Sequence, residues 1–239
     1  MIKEIKVMRM ITNDEILEFM RETAYKPMTY QELEKQFKIE NAEQFKLFLK
    51  MLNELEEEGE IIRTRGERYG VPERMNLLRG QLQVHQKGFA FLLPADKTNP
   101  DVYIHANSLL GGMNKDTVLA RINPKEGSGD KRVEGEVVRI IKRANDRIVG
   151  TFEEHGAYAF VIPDDKRIVR DVFIPKEAFH NAVIGTKVVV RLVQYPEGRA
   201  AAQGEVIEVL GHKEDPGVDI MSVIRKYGVP ETFPEEGLN

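Results

Sequence analysis

The chain has 239 residues, 41% hydrophobic and 31% charged, enough apolar content for two or three folded domains and too much for a disordered chain. It holds no cysteine, which excludes disulfide scaffolds, thiolate nucleophiles and cysteine zinc sites, and no apolar run reaches the length of a membrane span. The net charge of −4 conceals one basic stretch, residues 79–149, with twelve Lys and Arg against eight Asp and Glu. Salt screens charges beyond about 8–10 Å, so this local excess matters more than the total.

The first residues, MIKEIKVMRMITNDE, show neither an apolar signal core nor a small-residue cleavage site. With the absence of cysteine this sets a cytoplasmic expectation. Residues 1–13 fit no motif and are set apart as an extension. From 14 to 76 the pattern is helical and then hairpin-like. DEILEFMRE makes one short helix. TYQELEKQF opens with Thr29 and Glu32 in capping-box spacing, and NAEQFKLFLKMLNELEEEG opens likewise with Asn41 and Gln44 and closes at Gly59. Phe45, Phe48, Leu49, Leu52 and Leu55 share one face of that third helix. EIIRTRGERYGVP reads as a β-hairpin with Gly66 near its tip. Three helices and a hairpin make a winged helix-turn-helix. Nucleic-acid contact in the wing would fall to Arg63, Arg65 and Arg68. The third helix ends in ELEEEGE and the segment is acidic overall, so contact with protein stands beside contact with nucleic acid.

Two copies of a unit of about 70 residues follow. GFAFLLP…DVYIH at 88–105 recurs as AYAFVIP…DVFIP at 157–175. Phe89 meets Tyr158, Phe91 meets Phe160, Tyr103 meets Phe173, and Arg121 meets Arg191. His85 and His155 share a position, which reads as a barrel role. Each copy is a series of short runs rich in β-branched and aromatic residues, broken by Gly, Pro, Asn and Asp. Five strands in such a length match a closed barrel of the OB type. The fold expected is therefore α+β and multidomain: a winged helix, an OB barrel over 77–146 and a second over 147–210.

Side chains alternate faces along a strand. If Ala90, Leu92, Val102 and Ile104 fill the first barrel, then Phe89, Phe91, Tyr103 and His105 face outward beside Lys87. That is a stacking surface for bases with a cation for phosphate. Tyr158, Phe160 and Phe173 repeat it in an acidic setting, with Pro175 where His105 stands. RIIKRANDR at 139–147 joins the barrels and offers Arg139, Lys142, Arg143 and Arg147 to phosphates; Arg121 completes the candidate contacts. KEGSGDKR at 125–132 lacks the ending of a phosphate loop and reads as a flexible connection. The five histidines show no metal-ligand spacing, and Glu153–Glu154 and Asp164–Asp165 read as solvated charges.

KGFAFL with VYIH resembles the paired signatures of RNA-binding cold-shock domains. Two of these behind a winged helix resemble the N-terminal part of the ribonuclease R family. After Leu210, GHKEDPGVDIMSVIRKYGVPETFPEEGLN holds a short helical pattern, DIMSVIRKYG, and resembles the lead into that family's catalytic domain. The resemblance implies a cytoplasmic 3′-to-5′ exoribonuclease acting on single-stranded and structured RNA, with Mg²⁺ held by aspartates of a catalytic domain that this chain stops short of. On that reading the chain is a monomer that binds RNA, has no catalytic residues or cofactor of its own and touches no membrane. The alternatives are a winged-helix DNA-binding regulator with OB domains as partner surfaces, and a free-standing RNA chaperone.

Overall fold

The computed structural model describes residues 10–24, 26–123 and 132–228. Most of KEGSGDKR and the VPETFPEEGLN end lie outside the described residues, as do residues 1–9. The described residues divide into two compact units, one around the helical domain with segments 93–102 and 117–142, the other around 82–92, 103–116 and everything from Arg143 onward.

In the first unit, helix α1 (Asn13–Glu18) opens on a Thr12–Glu15 capping box and widens into a π-helical turn, Phe19–Thr23, that buries Met20. Strand β1 (Met28–Thr29) leads into α2 (Tyr30–Gln36), where Thr29 and Glu32 form the expected reciprocal cap. Helix α3 (Ala42–Glu57) differs in one detail: Asn41 accepts from the Gln44 amide, but the Gln44 side chain accepts from the Glu40 N–H, so only half of the box closes. Phe48, Leu52 and Leu55 of α3 are buried against Ile16, Leu33 and Ile61, while Phe45 remains 40% exposed. Each fully buried apolar side chain contributes roughly 1.5–3 kcal/mol. Strands β2 (Ile62–Arg63) and β3 (Arg68–Gly70) form the hairpin around Gly66, and β1 joins it in the order β1-β3-β2. The elements of this domain follow in the order α1-β1-α2-α3-β2-β3.

Gly59 ends α3 with φ +70°, and a Cβ there would lie 2.9 Å from Ile141. Glycine therefore serves both the left-handed cap and the close approach.

The repeat becomes two barrels of identical connectivity. The first has β4 (Leu77–Val84), β5 (Ala90–Pro94), β6 (Val102–Ile104), β7 (Thr117–Asn123) and β8 (Glu134–Lys142), closed in the order β4-β5-β6-β8-β7. The second has β9 (Arg147–His155), β10 (Tyr158–Pro163), β11 (Val172–Ile174), β12 (Thr186–Gln194) and β13 (Gln203–His212), closed in the corresponding order. Its third and fifth strands run parallel through Phe173 and Gln203. That order, 1-2-3-5-4 back to 1, is the OB arrangement. Closure leaves neither barrel a free sheet edge among the described residues.

Gly135 and Gly204 hold the same place in the two copies. A Cβ at Gly204 would stand 2.2 Å from Val190 Cγ1, and one at Gly135 would stand 2.6 Å from the Arg121 carbonyl oxygen, so strands pack where only glycine fits.

The sequence separates 211–239 from the second barrel. In the structure β13 runs on to His212, and helix α4 (Val218–Tyr227) packs Val218 and Met221 against Val149, Val189 and Leu210 of the barrel. Arg225 holds α4 through a two-pronged pair with Glu208, both contacts 2.8 Å.

Candidate nucleic-acid interface

Alternation along β5 and β6 places the rings as the pattern requires. Ala90, Leu92, Val102 and Ile104 are each 0% exposed, whereas Phe89, Phe91 and Tyr103 are half-buried on the other face and His105 is exposed. The rings form one cluster. Phe89 lies 5.4 Å from Tyr103 and 6.0 Å from Phe91; Phe91 is 5.7 Å from Tyr103, which meets His105 edge-on at 4.8 Å. Such tilted and edge-to-face pairs are favourable in themselves, so the surface is pre-built rather than assembled on contact. Lys87 is exposed in the turn beside it.

The turn supplies a ring that sequence reasoning did not assign to this face. Gly88 donates its N–H to the His85 carbonyl, and His85 donates to the Phe89 carbonyl, each at 2.8 Å, with Gly88 at φ +98°. His85 and Phe89 therefore oppose each other across a three-residue connection, and the imidazole stacks on Phe89 at 4.6 Å with 7° between planes. The signal was the spacing: a residue four before an outward Phe, across a glycine-bearing turn, shares its face. His155, paired with it in the repeat, sits in a hairpin one residue shorter. It registers against Tyr158 and approaches Phe160 at 6.4 Å and 56°.

The second surface is present but looser. Tyr158, Phe160 and Phe173 are 5.6–6.2 Å apart, and Tyr158 is 47% exposed. Ala159, Val161, Val172 and Ile174 fill the barrel behind them.

Several candidate cations are engaged elsewhere. Arg143 donates to the Gly111 carbonyl at 2.8 Å and to the buried Asp116 carboxylate at 3.0 Å, and lies 4.3 Å from the Tyr195 ring centre. Arg139 donates to the Glu56 carbonyl and Arg79 to the Glu58 carbonyl, capping the last turn of α3. Arg121 pairs with Glu136 at 3.1 Å, and Arg191 repeats that with Glu205 at 3.0 Å. In the wing, Arg63 meets Glu56 and Glu67, and Arg68 meets Glu32; Arg65 is exposed. Glu56, followed by the Tyr69 phenol oxygen and by Glu67, holds the Arg63 pKa above its usual value. Lys87, Lys142 and Arg147 are exposed.

The acid pairs also have local roles. Asp164 pairs with Lys187, and Asp165 accepts from the Arg167 amide and guanidinium. Burial acts to raise the Asp165 pKa, but the bonds from Arg167 outweigh it and hold the group below the usual carboxylate range. Among the described residues no three His, Asp or Glu side chains gather to hold a metal ion. No helix among them is long and apolar enough to cross a membrane.

The Ribonuclease B OB domain family matches residues 80–140, and the Cold shock domain family matches residues 160–234, a span that includes α4. Ribonuclease R of Acidithiobacillus ferrooxidans is 30% identical over 230 residues, 95% of this chain. The chain is related to ribonuclease R. Ribonuclease R of Thermotoga maritima is 31% identical over 96% of the chain, and that of Escherichia coli 31% over 88%. The chain spans 51% of the first of these relatives, 32% of the second and 26% of the third. Mycoplasma genitalium RNase R in its apo form shares the fold over 66% of this chain and 25% of its own, with a TM-score of 0.58 at 22% identity. Yeast Ssd1, a pseudonuclease, does so over 64% of this chain, with a TM-score of 0.55.

Proposed function

We propose that this chain is the RNA-gathering part of a 3′-to-5′ exoribonuclease of the ribonuclease R type. The observation that carries the reading is the outward ring cluster of the first barrel, backed by a complete inward apolar set and found in a chain related to ribonuclease R along most of its length. Rings with exposed faces stack bases of any sequence, and Lys87 stands beside them for a phosphate. The second barrel extends the path with Tyr158, Phe160 and Phe173, and Lys142 and Arg147 are the exposed cations near the segment joining the barrels. The helical domain is read as a winged helix that assists with structured RNA. Hydrolysis with Mg²⁺ belongs to a catalytic domain, and no step of it is assigned to the residues described.

The test is fluorescence anisotropy with labelled single-stranded RNA and duplex DNA of matched length across a salt series. RNA should bind more tightly, with log affinity falling by about 0.7 per phosphate contact per log unit of salt. Phe89→Ala with Phe91→Ala should weaken RNA binding by a few kcal/mol at most, at about 1–3 kcal/mol per stacked base. Tighter binding to duplex DNA, lost on changing Arg65 rather than the rings, would move the function to the wing and overturn the reading.

A further inference from the structure

His85 is exposed and lies flat on Phe89, 4.6 Å between ring centres and 7° between planes. Its Nδ1 accepts the Lys87 backbone N–H at 3.1 Å. An accepting Nδ1 means that the neutral ring carries its proton on Nε2. Stack and hydrogen bond together fix the ring plane and the tautomer before any ligand arrives. One imidazole face is covered by Phe89; the other is turned away from it. The surface thus continues past the phenylalanines by one more π-face, edged by a donor.

Resting on the reading that these rings take RNA bases, we propose that His85 is itself a base-stacking residue. A nucleobase of single-stranded RNA lies on the imidazole face turned away from Phe89, and Nε2–H donates to a base or phosphate oxygen of that nucleotide. Because the ring is already held, little side-chain freedom is lost on binding. The arrangement belongs to the first barrel. The shorter hairpin of the second leaves His155 tilted at 56° to Phe160, so the repeat supplies an internal comparison.

The experiment measures affinity of the 239-residue chain for a labelled oligouridylate. His85→Ala should weaken binding about five- to tenfold, the lower part of the range for one stacked base. His85→Phe keeps the ring but loses the Nε2–H donor and the Nδ1 acceptor, so it should fall between the parent and His85→Ala, and His155→Ala should lose less than His85→Ala. The chain contains no tryptophan, so a His85→Trp variant places a single indole at this point, and its emission should be quenched as RNA is added. If Phe89→Ala weakens binding while His85→Ala leaves it unchanged or tighter and the indole emission does not move, the inference is overturned and the ring-surface reading survives. If neither substitution weakens binding, both fall together.

Discussion

Replacing Asp116 by Asn should loosen the segment that leads from the first barrel into the second. The Asp116 carboxylate is fully buried and accepts three contacts: the Met113 and Ala144 N–H groups at 2.8 Å each, and the Arg143 guanidinium at 3.0 Å. Asn114 braces the same segment separately, its side chain accepting from the Val84 amide at 2.9 Å and its carbonyl from the Asn145 side chain at 2.7 Å. An amide in place of the carboxylate turns an N–H₂ group toward one of the N–H donors and removes the charge from the other two bonds. Leaving one donor unsatisfied costs about 1–3 kcal/mol, and hydrogen bonds to a charged group contribute about 1.5–3 kcal/mol each. Arg143 is 22% exposed and recovers part of its loss from water, so the expected cost is about 3–4 kcal/mol. Amide hydrogen exchange reads this locally, without assuming that a multidomain chain unfolds in one step. Protection at Met113 and Ala144 should fall on the order of 10²–10³-fold, at about 1.4 kcal/mol per decade. Arg143→Met leaves the buried carboxylate without its counter-charge and should cost at least as much, and the double variant should fall short of the sum by about 1–3 kcal/mol. Unchanged exchange at both amides, or strict additivity, would refute the account of this cage.

Three further outcomes are expected. Gly204→Ala should destabilise the second barrel by about 1–3 kcal/mol, since its Cβ meets Val190, which is itself 0% exposed and cannot yield; a thermal melt no lower than the parent's would contradict this. Tyr30→Phe should leave the melting temperature unchanged or raised, because the buried Tyr30 hydroxyl has no hydrogen-bond partner among the described residues; a loss above about 1 kcal/mol would reveal one. The Arg225 side-chain hydrogen bond holds the Glu208 pKa below the usual glutamate range. A depressed folded-state pKa gives stability that is present at neutral pH and is lost as pH falls through that depressed value. Amide protection along α4 should therefore drop in that acid window, and Arg225→Gln should abolish the step; an α4 that responds to acid identically in both proteins would count against the pair.

Much of the candidate interface was legible beforehand because its logic is local. Ala90, Leu92, Val102 and Ile104 alternate with Phe89, Phe91 and Tyr103, and a period of two needs nothing distant to decide which set faces in. The helix caps at Thr29 and Asn41 follow from residues three apart, although Gln44 turned to Glu40. His85 was within reach of the same reasoning once the turn is treated as a bulged hairpin, because the turn sets which residues oppose each other.

The sequence by itself determined the duplication, the five-stranded character of each copy and the outward rings, because all three rest on periodicity and on residues close along the chain. Only the tertiary structure decided which cations are available. Arg143 goes to Asp116, 27 residues away, and Arg139 goes to Glu56, 83 residues away, so each is spent on the scaffold, while Lys87 and Lys142 stay exposed. A guanidinium's neighbour is set by the folding of distant segments onto one another, and spacing along the chain carries no record of it.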